Sequence, residues 1–183
     1  AGGAGDVTWT LTELSKRKEF KSANGPSLVY ASIPGPELVQ KAFELGVGKE
    51  ISGEVGAKVD FRYAPPFPLK GKIIALGEQN PKNREAVIQM GSMKVIVTEK
   101  RRGYHEAKSL EALGIKPAET DIIVVKLGYL TKGLYDVRGD WMMALTRGGV
   151  DQDLLKLTYN RIDRPMFPFD ADMPDPEFKV VDL

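Results

Sequence analysis

The residues with chemistry to offer are few and lie far apart in the chain. A glycine-rich run, Ala1-Gly2-Gly3-Ala4-Gly5-Asp6, stands before an apolar-periodic segment. Glycines there can present backbone N–H groups to a ligand, and a following helix adds the positive end of its dipole, so the pair suits an anion. The same run also reads as a plain capped helix entry, because the Asp6 carboxylate can take the first-turn amides itself and compete with a bound anion. Lys126 follows four β-branched residues, 122–125. A lysine at the carboxyl end of a parallel strand stands where open α/β sheets gather ligands, and could hold a substrate carboxylate or a developing oxyanion. It could equally be a lysine leaving a buried strand for water. Asp60 and Arg62 precede Pro65-Pro66 and read as a solvated ion pair or as cleft contacts.

Metal chemistry is constrained by what is scarce. His105 is the one histidine and there is no cysteine. Catalytic zinc usually takes three protein ligands from histidines and carboxylates, so this chain is expected to contribute no metal ligands. No acidic cluster has the loop spacing of a hard-cation site. His105, after Arg101-Arg102 and Tyr104, reads as a surface or packing histidine. The lack of cysteine excludes disulfides and fits a cytoplasmic protein. A formal net charge of +1 gives no electrostatic case for nucleic acid or an acidic membrane, and Lys100-Arg101-Arg102 is too short a basic run to imply either. No apolar run reaches the roughly 18 residues of a membrane span. With 183 residues, 42% apolar and 28% charged, the composition suits one soluble domain with a single well-buried core.

The elements that must position these residues are legible from periodicity. Residues 6–18 read as a helix, with Asp6 as N-cap and Lys16-Arg17-Lys18 at the end that favours cations. Residues 28–33 read as a strand, and Pro36 opens a helix over 37–45 that Gly46 closes. Residues 51–60 alternate as a strand with one buried face, broken by Pro65-Pro66-Phe67-Pro68. Residues 70–76, 86–90 and 94–99 follow as antiparallel strands, the last two joined by a tight Gly91-Ser92 turn. A short helix over 107–113 precedes the run 122–125, read as a strand buried on both faces. A helix near 130–137 and a strand over 141–145 complete a parallel βαβ unit, with Trp141-Met142-Met143 as core. The remainder is loop-rich and extended by its prolines. The fold class expected is α/β with α+β character: a mixed sheet with an antiparallel section, a parallel βαβ unit and flanking helices.

Five segments in order resemble the C-terminal half of the MlrC family, named for a microcystin-degradation protein and classed as zinc metallopeptidases. Ala1 to Thr8 resembles the end of its Asp-Asn-Pro-Gly-x-Gly-x-x-Gly-Asp-x-Thr motif. Leu45-Gly-Val-Gly-Lys49 resembles its Ala-Gly-Val-Gly turn, and the stretch from Lys58 through Asp60 to Pro66 its Lys-x-Asp-x-x-x-x-Pro-Pro segment. Leu110-Glu-Ala-Leu-Gly-Ile-Lys-Pro117 with Ile123-Val-Val-Lys126 is similar to its Leu-Gly-Ile-x-Pro and Val-Val-Lys-Ser pattern. Tyr159 to Asp170 resembles its closing Tyr-Arg-Arg-x-x-Arg-Pro-x-x-Pro-x-Asp. Two positions depart: Leu127 stands for the usual serine, and Tyr63-Ala64 for His-Gly.

The resemblance implies a single C-terminal-type domain over residues 1–183 and a zinc-dependent hydrolase of amide or peptide bonds. Its zinc ligands would lie in an N-terminal half or partner subunit absent from this chain, and a metal-activated water would attack the amide carbonyl. Gly2, Gly3, Gly5, Asp6, Asp60, Arg62 and Lys126 would then wall the cleft and orient a small peptide-like substrate. Two other readings stand beside it. One is a non-catalytic module binding a small anion on the glycine-rich run. The other is a structural half of a homodimer, with Phe167 and Phe169 as contacts. A glycine-rich run of this kind normally follows a strand, so the chain reads as part of a longer protein.

Overall fold

One six-stranded mixed sheet organises the chain, in the order β2-β3-β4-β5-β1-β6. The computed structural model describes residues 5–78, 80, 82–148, 150–175 and 177–178. Along the chain, α1 is Trp9–Lys16, β1 Leu28–Pro34, α2 Pro36–Leu45, β2 Glu50–Val55, β3 Phe67–Gly77, β4 Glu85–Met90 and β5 Met93–Thr98. Then come α3 Ala107–Glu111, β6 Ile122–Val125 and α4 Lys132–Tyr135. Strands β2 to β5 run antiparallel, while β1 lies between β5 and β6 and is parallel to both.

Period-two alternation on the central strands sends side chains into two core layers. Leu28 and Tyr30 of β1 join Val95 and Val97 of β5 on one face, under Leu11 of α1 and Leu38, Val39 and Ala42 of α2. Val29 and Ala31 join Val87 and Ile96 on the other, under Leu110, Leu113 and Ile115 in and after α3. Tyr30 is fully enclosed, and burial holds its phenol well above the ordinary range. The antiparallel section follows the turn chemistry: Met90 pairs with Met93 across Gly91-Ser92, with Gly91 at φ 59°. Pro68 falls inside β3 rather than breaking it. It pairs with Glu54 of β2, at a level where β4 has not yet begun, so its missing N–H removes no bond to β4.

Several expected elements change. The first helix spans only Trp9–Lys16: Asp6 lies outside it, Thr8 is the N-cap residue, and Arg17 turns extended before a separate 3₁₀ turn at Lys18–Phe20. The strand expected over 51–60 ends at Val55, because Gly56 and Ala57 take positive φ of 72° and 52°. β6 is an edge strand with Ile122 40% exposed, not one buried on both faces. Residues 141–145 form no strand, and Trp141 (59%) and Met142 (91%) lie largely in solvent rather than in the core. That run is apolar but lacks β-branched residues, and its Ala144 and Leu145 line a cleft with Trp9 and Leu14 of α1 instead of joining the sheet. The parallel unit therefore comes from β5, α3 and β6, with β1 lying between its two strands. The α/β architecture with a mixed sheet and flanking helices stands as read from the sequence.

Candidate functional site

Because β5, β1 and β6 run parallel, their carboxyl ends share one edge of the sheet, the place where α/β sheets gather ligands. Lys126 is the first residue past β6, and its Nζ donates a hydrogen bond to the Gly5 carbonyl. The amine also lies 5.7 Å from the centre of the Tyr30 ring. The Arg101 side chain, three residues past β5, packs over Gly5: a Cβ at Gly5 would meet its Cγ and Nε at 3.2 Å. Two cationic side chains from two parallel strands thus flank one backbone position.

Asp6 is buried, and its charge acts on the Lys126 amine. Its Oδ2 accepts the Val59 N–H at 2.7 Å and, more weakly, the Asp60 N–H at 3.4 Å. Its backbone carbonyl accepts the Ala57 N–H at 2.8 Å. The carboxylate therefore caps the loop after β2 instead of a helix, which corrects the N-cap expectation. Helix α1 has no side-chain cap, since the Thr8 hydroxyl donates to the Pro65 carbonyl at 2.7 Å. Both contacts pin the glycine-rich run to residues 56–66. Gly56 makes the approach possible: a Cβ there would lie 2.6 Å from the Asp6 carbonyl oxygen and from Ile33 Cδ1. Asp6 Oδ1 is buried with no hydrogen-bond partner among the described residues.

The loop then delivers the second expected pair. Asp60, 7% exposed, accepts from Arg62 Nε at 3.1 Å, and the Arg62 guanidinium lies 5.3 Å over the Tyr63 ring. The hydrogen bond and charge of Asp60 raise the Arg62 pKa above its usual value. Of the residues singled out from the sequence, Gly5, Asp6, Asp60, Arg62 and Lys126 form one contiguous run of contacts. Gly2 and Gly3 lie outside the described residues. The two departures border the cluster: half-buried Leu127 follows Lys126, and half-buried Tyr63 and buried Ala64 follow Arg62.

The electrostatics single out Lys126. Burial pushes its amine down to about 7, Asp6 opposes that shift, and Arg101 adds to it. An amine so placed is half-neutral near neutral pH, when it can accept a proton, and when charged it can hold an anionic group.

A second network lies further along the same edge. Arg102 donates to Glu85 Oε1 and the Tyr104 hydroxyl to Glu85 Oε2, with both Glu85 and Tyr104 buried. Burial, then the Glu85 contact, lifts the Tyr104 phenol far above its ordinary range. Arg84 grips Glu99 nearby, Nη2 to Oε1 at 2.6 Å. Read only as a basic run too short for nucleic acid or a membrane, residues 100–102 gave no hint of these contacts. The available signal was position: Arg101 and Arg102 follow a parallel strand's end, as Lys126 does.

The described residues do not fit a zinc site. No group of three or more His, Cys, Asp or Glu side chains among the described residues could hold a metal ion. His105 is exposed, and its backbone carbonyl accepts the Thr131 hydroxyl. Nor is any helix among the described residues long and apolar enough to cross a membrane.

A six-stranded mixed sheet with ligand-competent groups at its parallel edge defines an α/β domain, and comparison with known proteins supplies its family. The chain belongs to the family described as MlrC C-terminus, which matches residues 1–161. It is similar to Microcystinase C from Sphingomonas sp, 30% identical over 178 residues. That alignment takes in 92% of this chain but 33% of the relative, so the chain spans about a third of the protein it resembles. Its fold is similar to a crystal structure of a candidate metallopeptidase from Mesorhizobium sp. BNC1, with TM-score 0.67 and 18% identity. The superposition covers 93% of this chain and 36% of that one.

Proposed function

We propose that this domain is the C-terminal portion of a metal-dependent hydrolase of amide or peptide bonds, supplying groups that orient the substrate rather than metal ligands. The observation that carries the reading is family membership combined with length. The chain matches the MlrC C-terminus family yet spans a third of Microcystinase C, and its described residues hold no metal-binding group. The metal, zinc in this reading, would be held by polypeptide outside the chain. Lys126 is the group through which the domain would act. Charged, it draws a substrate carboxylate or carbonyl oxygen to the parallel edge; neutral, it can take up a proton there. Asp6 keeps a negative charge beside it, and the pinned loop holds Asp60 and Arg62 along the same wall.

The test is amide-bond hydrolysis by the full-length protein on a panel of short peptides, with Lys126→Met compared with the wild type at equal metal content. A fall in kcat/KM of roughly a hundred-fold with metal retained is expected for the loss of one electrostatic contact to the reacting group. Unchanged kinetics, or no hydrolysis of any amide by the wild type, would contradict the assignment.

A further inference from the structure

We propose that the full-length polypeptide supplies a seventh strand, which leads into the glycine-rich run and pairs in parallel with the outer edge of β6. Four observations converge on this placement. The first is that β6 has an open side. Its one strand partner among the described residues is β1, and Ile122 N–H donates to the Ser27 carbonyl on that inner side at 3.0 Å. Backbone groups alternate along a strand, so the N–H and C=O of Ile123 and Val125 point outward. Four β-branched residues with an unpaired edge are a hazard that proteins cover.

The second is where the chain enters. Lys126, at the carboxyl end of β6, holds the Gly5 carbonyl. A segment joined to Gly5 through residues 1–4 ends within about 14 Å of it, since a residue spans at most ~3.5 Å. A strand lying beside β6 and ending there runs toward the same edge that β6 reaches, and is parallel to it.

The third is handedness. The β5–α3–β6 crossover moves across the sheet toward β6, and α3 packs on the face of Val29 and Ala31. Helix α1 packs on the opposite face, with Leu28 and Tyr30. Parallel crossovers share one hand, so helices on opposite faces belong to crossovers travelling in opposite directions. A strand joined through α1 to β1 must therefore start beyond β6, not beyond β2.

The fourth is length: about two-thirds of Microcystinase C lies outside the region this chain matches, ample for such a strand. The placement does not depend on the hydrolase reading, since no catalytic step enters it.

Amide hydrogen exchange on the full-length protein tests it. Ile123 and Val125 should exchange at least about a hundred-fold slower than free amides, as Ile122 and Val124 on the inner side must. That protection should not change with protein concentration. Free exchange at Ile123 and Val125 beside protected Ile122 and Val124 would overturn the proposal. Protection that grows with concentration would also overturn it, by giving the edge to a second copy.

Discussion

At the scale of single residues, Lys126 and Asp6 set the electrostatics of the parallel edge. Lys126 titrates near 7 in the folded chain, against about 10.4 for a free lysine. Between those values the unfolded state binds a proton that the folded state has released. Stability contributed by this group therefore rises with pH across that window and is flat on either side. Lys126→Met should remove that slope. Unfolding free energies from urea titrations at pH 7 and pH 10 are expected to differ more in the wild type than in the variant, by about a few kcal/mol at most. Equal slopes would place the amine in water. Asp6→Ala should cost about 1–3 kcal/mol, because the Val59 N–H then loses a short bond. Asp6→Asn, which keeps an acceptor but not the charge, should restore most of that stability while lowering the Lys126 pKa further, as read by NMR titration of the amine. The sequence marked both residues as chemically suggestive. It could not reveal that Asp6 binds a loop 53 positions away, since a carboxylate before a helix looks the same whether it caps that helix or not.

Elements were legible where local chemistry alone decides them. The Pro36 start and Gly46 stop of α2, the Gly91-Ser92 hairpin and the alternating strands are all set by short-range rules. They failed where a distant partner decides. Helix α1 begins late because Asp6 and Thr8 are both engaged by residues 57–65. β2 ends early because Gly56 must let the Asp6 backbone approach. Gly56→Ala combines an unfavourable φ with contacts inside 3 Å, so a loss of about 2–4 kcal/mol is expected by chemical denaturation. The same variant should expose the Val59 amide to exchange, whereas a purely local effect would leave Val59 protected. Along β4, Tyr104→Phe leaves Glu85 Oε2 buried without its phenol donor, for an expected cost of about 1–3 kcal/mol. A change within a few tenths would mean that water replaces the phenol.

At the scale of the molecule, apolar exposure and family length point the same way. Trp141, Met142, Phe167 and Phe178 are each more than half exposed, in a stretch with little regular structure. Periodicity could not place residues 141–145, since a five-residue apolar run without β-branched residues reads alike as strand, helix or loop. Phe169, by contrast, lies against Tyr159 with ring centres 4.8 Å apart, so of the two phenylalanines considered as dimer contacts only Phe167 projects freely. If the rest of the full-length protein covers this stretch, Trp141→Ser should change the stability of the 183-residue chain by under about 0.5 kcal/mol and destabilise the full-length protein by more than that. The central claim is the division of labour, with orienting groups here and metal ligands elsewhere. Elemental analysis of zinc, with intact mass on the same sample, tests it most directly on this chain and on the full-length protein. The account predicts about one zinc per full-length chain and none held stoichiometrically by residues 1–183 alone. Stoichiometric zinc on the isolated chain, lost on mutating His105 or its carboxylates, would contradict it.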